Sequence, residues 1–352
     1  MRSATEHPWY AALPEQGPGP SVRWTSEDFT LELTDWVAGA LDGLGVELVR
    51  LEAVHQRPWS TVWRAAASDG SSYWAKQNCT HQAFEAALLM VLHDHAPDHV
   101  VPVAAADLGR GLLLLPDQGP VFAETVAGDD VDAWCRVATE AMRLQRELGG
   151  HQQELLAAGL SALRPRDSVA YVEARSALLA GLPEGDPRQL AAEDAERLRG
   201  LLPEVGRWAQ ELDSLGLPDN LVHNDLHANN VFATPEGMRF FDFGDAVLAH
   251  PLSALFIPLN VLLHRFETTP QDPRLRRVAD AGLEVWGDVV PVADLRRALS
   301  AALRLGRLGR AESWLRVTAT MTAEELVEFG DGGSWWLAAL GDPPPVSLPT
   351  TA

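Results

Sequence analysis

Between Leu221 and Ala246 the chain reads LVHNDLHANNVFATPEGMRFFDFGDA. It sets His223, Asp225, His227, Asn230, Asp242 and Asp245 among short apolar runs. Phosphoryl transfer asks little covalent help of a protein: a cation clamp on the phosphates, hard oxygen ligands for a metal, and a carboxylate beside the attacking hydroxyl. His223-Asn224-Asp225 followed by Asn230 fits H-x-D-x-x-x-x-N. In that spacing Asp225 receives the hydroxyl proton, and Asn230 turns its amide oxygen toward Mg²⁺. Asp242-Phe243-Gly244 then supplies a second oxygen ligand after a short hairpin. Gly244 is expected to permit the sharp turn that re-aims the chain.

A second line comes from the basic residues. Of the 28 lysines and arginines, Lys76 is the only lysine. Arginine carries a planar fork, whereas lysine is a compact point charge. Lys76 therefore marks a place where the fork does not fit. It ends the stretch YWAK, and Glu85 follows on the next helical segment, where it can pair with Lys76 and hold it toward a nucleotide. A competing reading makes His223 and His227, with His250 nearby, a zinc cluster in a hydrolase. It leaves Lys76, Asn230 and the Gly244 turn without a role. A third reading is a kinase-like module that binds nucleotide without catalysis.

The elements that must position these residues are legible in outline. Residues 1–24 are rich in Pro and Gly and read as an irregular lead-in. TSEDFTLELTDWVAGALDGLG reads as a helix entered through a Thr25…Asp28 capping box. Residues 46–56 and 60–67 read as strands joined by RPWS. Ser68-Asp69-Gly70 is a hairpin turn into a third strand, SSYWAKQN. Residues 81–95 have helical spacing, and Val100 to Ala106 and Gly111 to Leu115 complete a five-stranded antiparallel sheet. After PDQGP the chain turns helical, except for the hairpin VFAT-PEG-MRFFDF. The fold class is α+β: a small β lobe with one helix (residues 1–115), a hinge (116–120), a mainly helical lobe (121–340) and a loose tail (341–352).

With 46% hydrophobic and 22% charged residues the chain has the composition of a soluble globular protein. No apolar run approaches the roughly 20 residues that span a bilayer. The N-terminus lacks the apolar region of a secretory signal. Cys79 and Cys135 lack metal-ligand spacing, and a reducing cytoplasm is the simplest setting. A formal charge of −21 argues against nucleic acid as a partner and favours a cationic small molecule as acceptor.

Together the motifs YWAK, FEAALL, GLLLLPDQG, HNDLHANN and FDFGDA resemble those of the aminoglycoside phosphotransferase and choline kinase-type group of small-molecule kinases, over about Val46 to Pro251. The resemblance implies a protein kinase-like bilobed fold, ATP (or GTP) as donor and Mg²⁺ as cofactor. It implies Lys76 and Glu85 as the phosphate-clamping pair, Asp225 as the catalytic base, and Asn230 and Asp242 as metal ligands. His223 is implied as the brace of the catalytic loop. The chain departs from protein kinases in having H-N-D for H-R-D and no A-P-E. Nor is there a glycine-rich cover, so Ser60 and Thr61 are expected to offer hydroxyl and N–H contacts to the phosphates. At the hinge, the Leu115 carbonyl and Asp117 N–H are expected to meet adenine, with Pro116 between them. Asp245 reads equally as a ligand for an acceptor amine and as a cap for the following segment. His227 is a second candidate acceptor contact.

Overall fold

A computed structural model of the chain describes Trp9, residues 19–234 and residues 237–348. The helix read from the capping box enters one residue later than that box suggested, and the lead-in before it is not wholly irregular. A short helix, α1 (Pro20–Trp24), closes with the Thr25 hydroxyl donating to the Val22 carbonyl at 3.0 Å. Ser26 then caps α2 (Glu27–Asp42) by accepting from the Phe29 N–H at 3.2 Å. Phe29, Leu33, Val37 and Leu41 recur every fourth residue and form the buried stripe of α2.

The small lobe is an antiparallel sheet of β1 (Leu48–Arg57), β2 (Ser60–Ala67), β3 (Ser72–Asn78), β4 (Ala105–Asp107) and β5 (Leu112–Pro116), in the order β1-β2-β3-β5-β4. Its helix, α3 (Glu85–His95), lies between β3 and β4 and begins after a 3₁₀ turn at Thr80–Gln82. The expected strand from Val100 shrinks to three residues, because Pro102 cannot donate to a ladder. Val100 instead bridges to Phe240, and the Val101 N–H donates to the Phe240 carbonyl at 3.2 Å, so this segment stitches the lobes together.

Beyond the hinge come α4 (Phe122–Thr125), α5 (Val131–Glu147), α6 (Gln152–Ala157), β6 (Ser161–Leu163), α7 (Ser168–Ala180) and α8 (Ala192–Asp213). Then follow β7 (Asn220–Val222), β8 (Val231–Thr234), β9 (Gly237–Phe240) and β10 (Val247–Ala249). The hairpin β8–β9 forms as expected. The sheet β6-β10-β7 was not foreseen, since three-residue strands show no alternation. The chain then runs through α9 (Phe256–Arg265), α10 (Pro273–Glu284), α11 (Val292–Thr318), α12 (Ala323–Phe329) and α13 (Gly332–Ala338). Among the described residues no helix is long and apolar enough to cross a membrane.

The small-lobe core is not closed by residues 1–115 alone. Trp24, Phe29, Trp63 and Ala75 pack in one cluster with Val317, Met321 and Leu326, from the end of α11 through α12. The lobes are thus joined at the hinge and again by these C-terminal helices. The tail is also less loose than its prolines suggested. Val346 is buried, the Ser347 N–H donates to the Pro270 carbonyl at 2.8 Å, and Arg307 donates to the Pro343 carbonyl at 2.7 Å. Residues 349–352 of the expected loose tail, and most of the N-terminal lead-in, lie outside the described residues.

Met321 is fully buried in this shared core, whereas Val327, on the outer face of α12, is 79% exposed. Met321→Ala is expected to cost about 2–5 kcal/mol of unfolding free energy, and Val327→Ala less than about 0.5 kcal/mol. Urea unfolding of the two variants beside the parent checks this. Equal, small effects would show that the C-terminal helices do not close the small lobe.

Candidate active site

Lys76 projects from β3 into a pair of carboxylates. Its Nζ lies 2.7 Å from Glu85 Oε2 and 2.6 Å from Asp242 Oδ1. Burial by itself would lower the Lys76 pKa, but the Asp242 and Glu85 charges outweigh it and raise it well above the ordinary lysine value. The group is a fixed ammonium. Glu85, at the first turn of α3, is almost wholly buried yet fully engaged. It also accepts from the Asn78 amide at 2.5 Å and from the Phe243 backbone N–H at 2.9 Å. One carboxylate therefore ties β3, α3 and the D-F-G turn.

The turn is built differently from the expectation. The left-handed residue is Asp242, at φ +64° and ψ +61°, and Gly244 has no positive φ. Aspartate visits this region at modest cost. Glycine is needed at 244 for proximity: a Cβ there would stand 3.1 Å from Asn78 Nδ2. The Asp242 side chain is 46% exposed and faces the cleft.

His223 braces the loop below. Its Nε2–H donates to the Phe241 carbonyl at 2.8 Å, and its Nδ1 accepts from the Asp225 N–H at 3.3 Å. Burial holds its pKa below the usual histidine value, so the ring is neutral. With both nitrogens committed to backbone, His223 has no lone pair for zinc. Among the described residues the one group of three whose ligand atoms converge is His95, His151 and Glu154, away from this loop. The zinc reading of His223 and His227 has no geometry to rest on.

Asp225 is held from both sides. His227 Nε2 lies 3.3 Å from Oδ2, and Arg310 Nη1, from α11, lies 3.1 Å from Oδ1. Burial pushes the Asp225 pKa up, but the His227 hydrogen bond and the Arg310 charge pull harder and leave it below the ordinary aspartate value. Burial pulls His227 down, and its bond to Asp225 raises it overall. The Asn230 amide nitrogen donates to the Asp225 carbonyl at 2.9 Å, which turns the amide oxygen the other way. That oxygen and the Asp242 carboxylate are hard donors of the kind Mg²⁺ takes.

Four residues are placed otherwise than expected. Thr61 is buried, and its hydroxyl accepts from the Trp63 indole at 2.8 Å inside the small-lobe core, so it offers nothing to phosphates. Ser60, one residue earlier, does line the cleft. The Asp117 N–H is spent on the Ser72 carbonyl at 2.9 Å. By the alternation of an antiparallel ladder, Leu115, opposite Trp74, also turns its backbone groups to β3. The carbonyl on the other side belongs to Pro116, where the Gln118 amide reaches it at 3.2 Å. Asp245 is not open to an acceptor amine: Gln82 Nε2 at 2.6 Å, Arg310 Nη1 at 2.9 Å and the Ser313 hydroxyl hold its carboxylate, which caps no helix either.

The cleft between these groups encloses about 130 Å³. Gln82, Arg310, Ser313 and Trp314 line it, and none belongs to a sequence motif. Trp59, in the β1–β2 turn, packs edge-on against Trp314 at 5.9 Å and Phe329 at 5.3 Å. The turn that stands where a glycine-rich cover would lie is thus held down by aromatic contacts.

A twisted five-stranded sheet, a lysine–glutamate pair and an H-x-D loop facing D-F-G define the kinase-like class. Residues 61–297 match the family model described as the APH phosphotransferase enzyme family, and the chain belongs to that family. The macrolide 2'-phosphotransferase MphH of Brachybacterium faecium has the same fold (TM-score 0.54, 17% identity, 89% of this chain and 99% of that one). So does an ethanolamine kinase of Plasmodium vivax (TM-score 0.59, 12% identity, 85% and 83%). A third is the amicoumacin kinase hAmiN, in complex with AMP-PNP, Ca²⁺ and Ami (TM-score 0.53, 14% identity, 92% and 99%). No curated protein matches the chain.

Behind the catalytic loop, burial depresses the His250 pKa to about 3. Its Nδ1 accepts from the Leu252 N–H at 3.3 Å. The unfolded chain takes up this proton near pH 6.5 and the folded one does not, so stability falls as pH drops from about 6.5 toward 3. His250→Asn keeps an acceptor for Leu252 and loses the titration. Between pH 6 and pH 5 its unfolding free energy is expected to fall by roughly 1 kcal/mol less than the parent's. Urea unfolding at both pH values measures the slopes, and equal slopes would contradict a neutral buried His250.

Proposed function

We propose that the protein is an ATP- and Mg²⁺-dependent O-phosphotransferase acting on a hydroxyl of a small, amine-bearing molecule such as an aminoglycoside, amino sugar or amino alcohol. The observation that carries this reading is the Lys76 ammonium clamped between Glu85 and Asp242, the latter lining the same cleft as Asp225. Lys76 holds the donor phosphates when they displace Asp242 from its ammonium. Asp225 orients the acceptor hydroxyl and takes its proton. A carboxylate of low basicity suits a loose transition state, in which the hydroxyl loses its proton late. Asn230 and Asp242 would hold the magnesium, which supplies charge neutralisation at the phosphate oxygens. The net charge of −21 supports a cationic acceptor through its long-range field.

A coupled ADP-release screen over aminoglycosides, amino sugars, choline-like amines and neutral sugars tests the reading. Asp225→Asn is expected to leave the fold and nucleotide binding intact while lowering phosphate transfer by about a hundredfold or more. Near-parental turnover in a folded Asp225→Asn protein would remove Asp225 from the mechanism. A parent silent with every acceptor, yet able to bind nucleotide, would favour the non-catalytic module.

A further inference from the structure

The family match ends at residue 297, within α11, but the rest of that helix reaches into the cleft. Farther along α11, beyond that match, the Arg310 side chain is largely buried, with its Nη1 at the meeting point of two loops. That nitrogen lies 3.1 Å from Asp225 Oδ1, 2.9 Å from Asp245 Oδ2 and 2.9 Å from the Asn224 carbonyl. Asn224 belongs to the catalytic loop and Asp245 follows the D-F-G turn. Further hydrogen bonds tie the two loops to each other and Asp245 to α11. The Asn224 amide donates to the Asp245 carbonyl at 3.1 Å, and Arg316 donates to the same carbonyl at 2.9 Å. A Cβ at Gly309 would stand 2.7 Å from Asn224 Oδ1, so the helix backbone is as near the loop as glycine allows.

From this arrangement we infer that Arg310 is a positioning residue for phosphate transfer, setting the Asp225 carboxylate against the acceptor hydroxyl from outside the family's matched region. The inference rests on the proposed phosphotransferase reading. His227 and the Asn230 amide reach only Oδ2 of Asp225, at 3.3 and 3.4 Å. A carboxylate gripped on one oxygen still turns about its side-chain bonds. A grip on the second oxygen, from a helix that is itself packed into both lobes, removes that freedom. Because the same nitrogen holds Asp245, the base is registered to the segment that carries Asp242. Arginine suits the place through reach: lysine carries three donors but ends one bond short.

Steady-state ADP release by the full chain, with the best acceptor of the screen, tests the inference in Arg310→Gln, Arg310→Lys and Arg310→Ala. In Arg310→Gln, kcat is expected to fall about a hundredfold, while KM for nucleotide moves less than about threefold, because the loss is in orientation and not in ground-state binding. Arg310→Lys is expected to recover part of kcat. Added guanidinium is expected to raise turnover of folded Arg310→Ala at concentrations that leave the parent unchanged. Thermal unfolding of each variant identifies those that fold. Parental kcat in folded Arg310→Gln would overturn the inference and leave the phosphotransferase reading intact. So would a loss of kcat that follows lost stability, with no recovery by lysine or guanidinium. A parent that turns over no acceptor fails the phosphotransferase reading first, and the inference falls with it.

Discussion

The site depends on burying one ammonium between two carboxylates that come from opposite sides of the cleft. Lys76 brings the charge from the sheet, Glu85 answers from α3, and Asp242 answers from the large lobe. Charges so poorly exposed are costly unless paired and hydrogen-bonded. Here Glu85 receives three donors, and one of them is the Phe243 backbone N–H. Moving α3 away would strand both Lys76 and Glu85. The position of the small-lobe helix, the D-F-G turn and the third strand are therefore one condition, met or broken together.

The same logic of pairing recurs on the other wall. Asp225 and Asp245 would repel each other and an incoming phosphate chain, and Arg310 stands between them. Its helix is held from both ends. Toward its C-terminal end Val317 enters the small-lobe core, and Trp314 packs on Trp59 above the cleft. Further back Gly306 lies against Phe256, where a Cβ would come within 2.9 Å. The cleft is thus framed by the β1–β2 turn on one side and by α11 on the other, with Trp59 and Ser60 standing where a glycine-rich cover would lie.

How much of this the sequence disclosed depended on how local the determinant was. The H-x-D-x-x-x-x-N loop, the D-F-G turn and the lone lysine are contiguous or type-specific signals. The five antiparallel strands of the small lobe followed from turn and strand spacing, though not their order, which pairing across the sheet sets. The hinge went wrong at Leu115 and Asp117 because which backbone groups face outward is set by ladder register, a tertiary fact. Thr61 was misplaced for a related reason: the strand alternation turns it inward, where Trp63 needs an acceptor. Gly244 does stand in the turn, but the left-handed residue there is Asp242, and Gly244 serves by its close approach to Asn78. Arg310 was out of reach. It is one of six arginines in α11, at 296, 297, 304, 307, 310 and 316, and nothing local says which of them meets Asp225.

The central claim is that Lys76 works as a compact cation in a space with no room for a fork. Lys76→Arg keeps the charge and tests the shape alone, since Nζ already sits within 2.7 Å of both carboxylates and only 11% of the side chain is exposed. ADP release by the folded Lys76→Arg protein, compared with the parent at saturating nucleotide and acceptor, is the direct measurement. A fall of about a hundredfold or more is the expected result. Parental turnover would contradict the account, because it would mean that any cation serves at this position and that the clamp between Glu85 and Asp242 does not hold the donor.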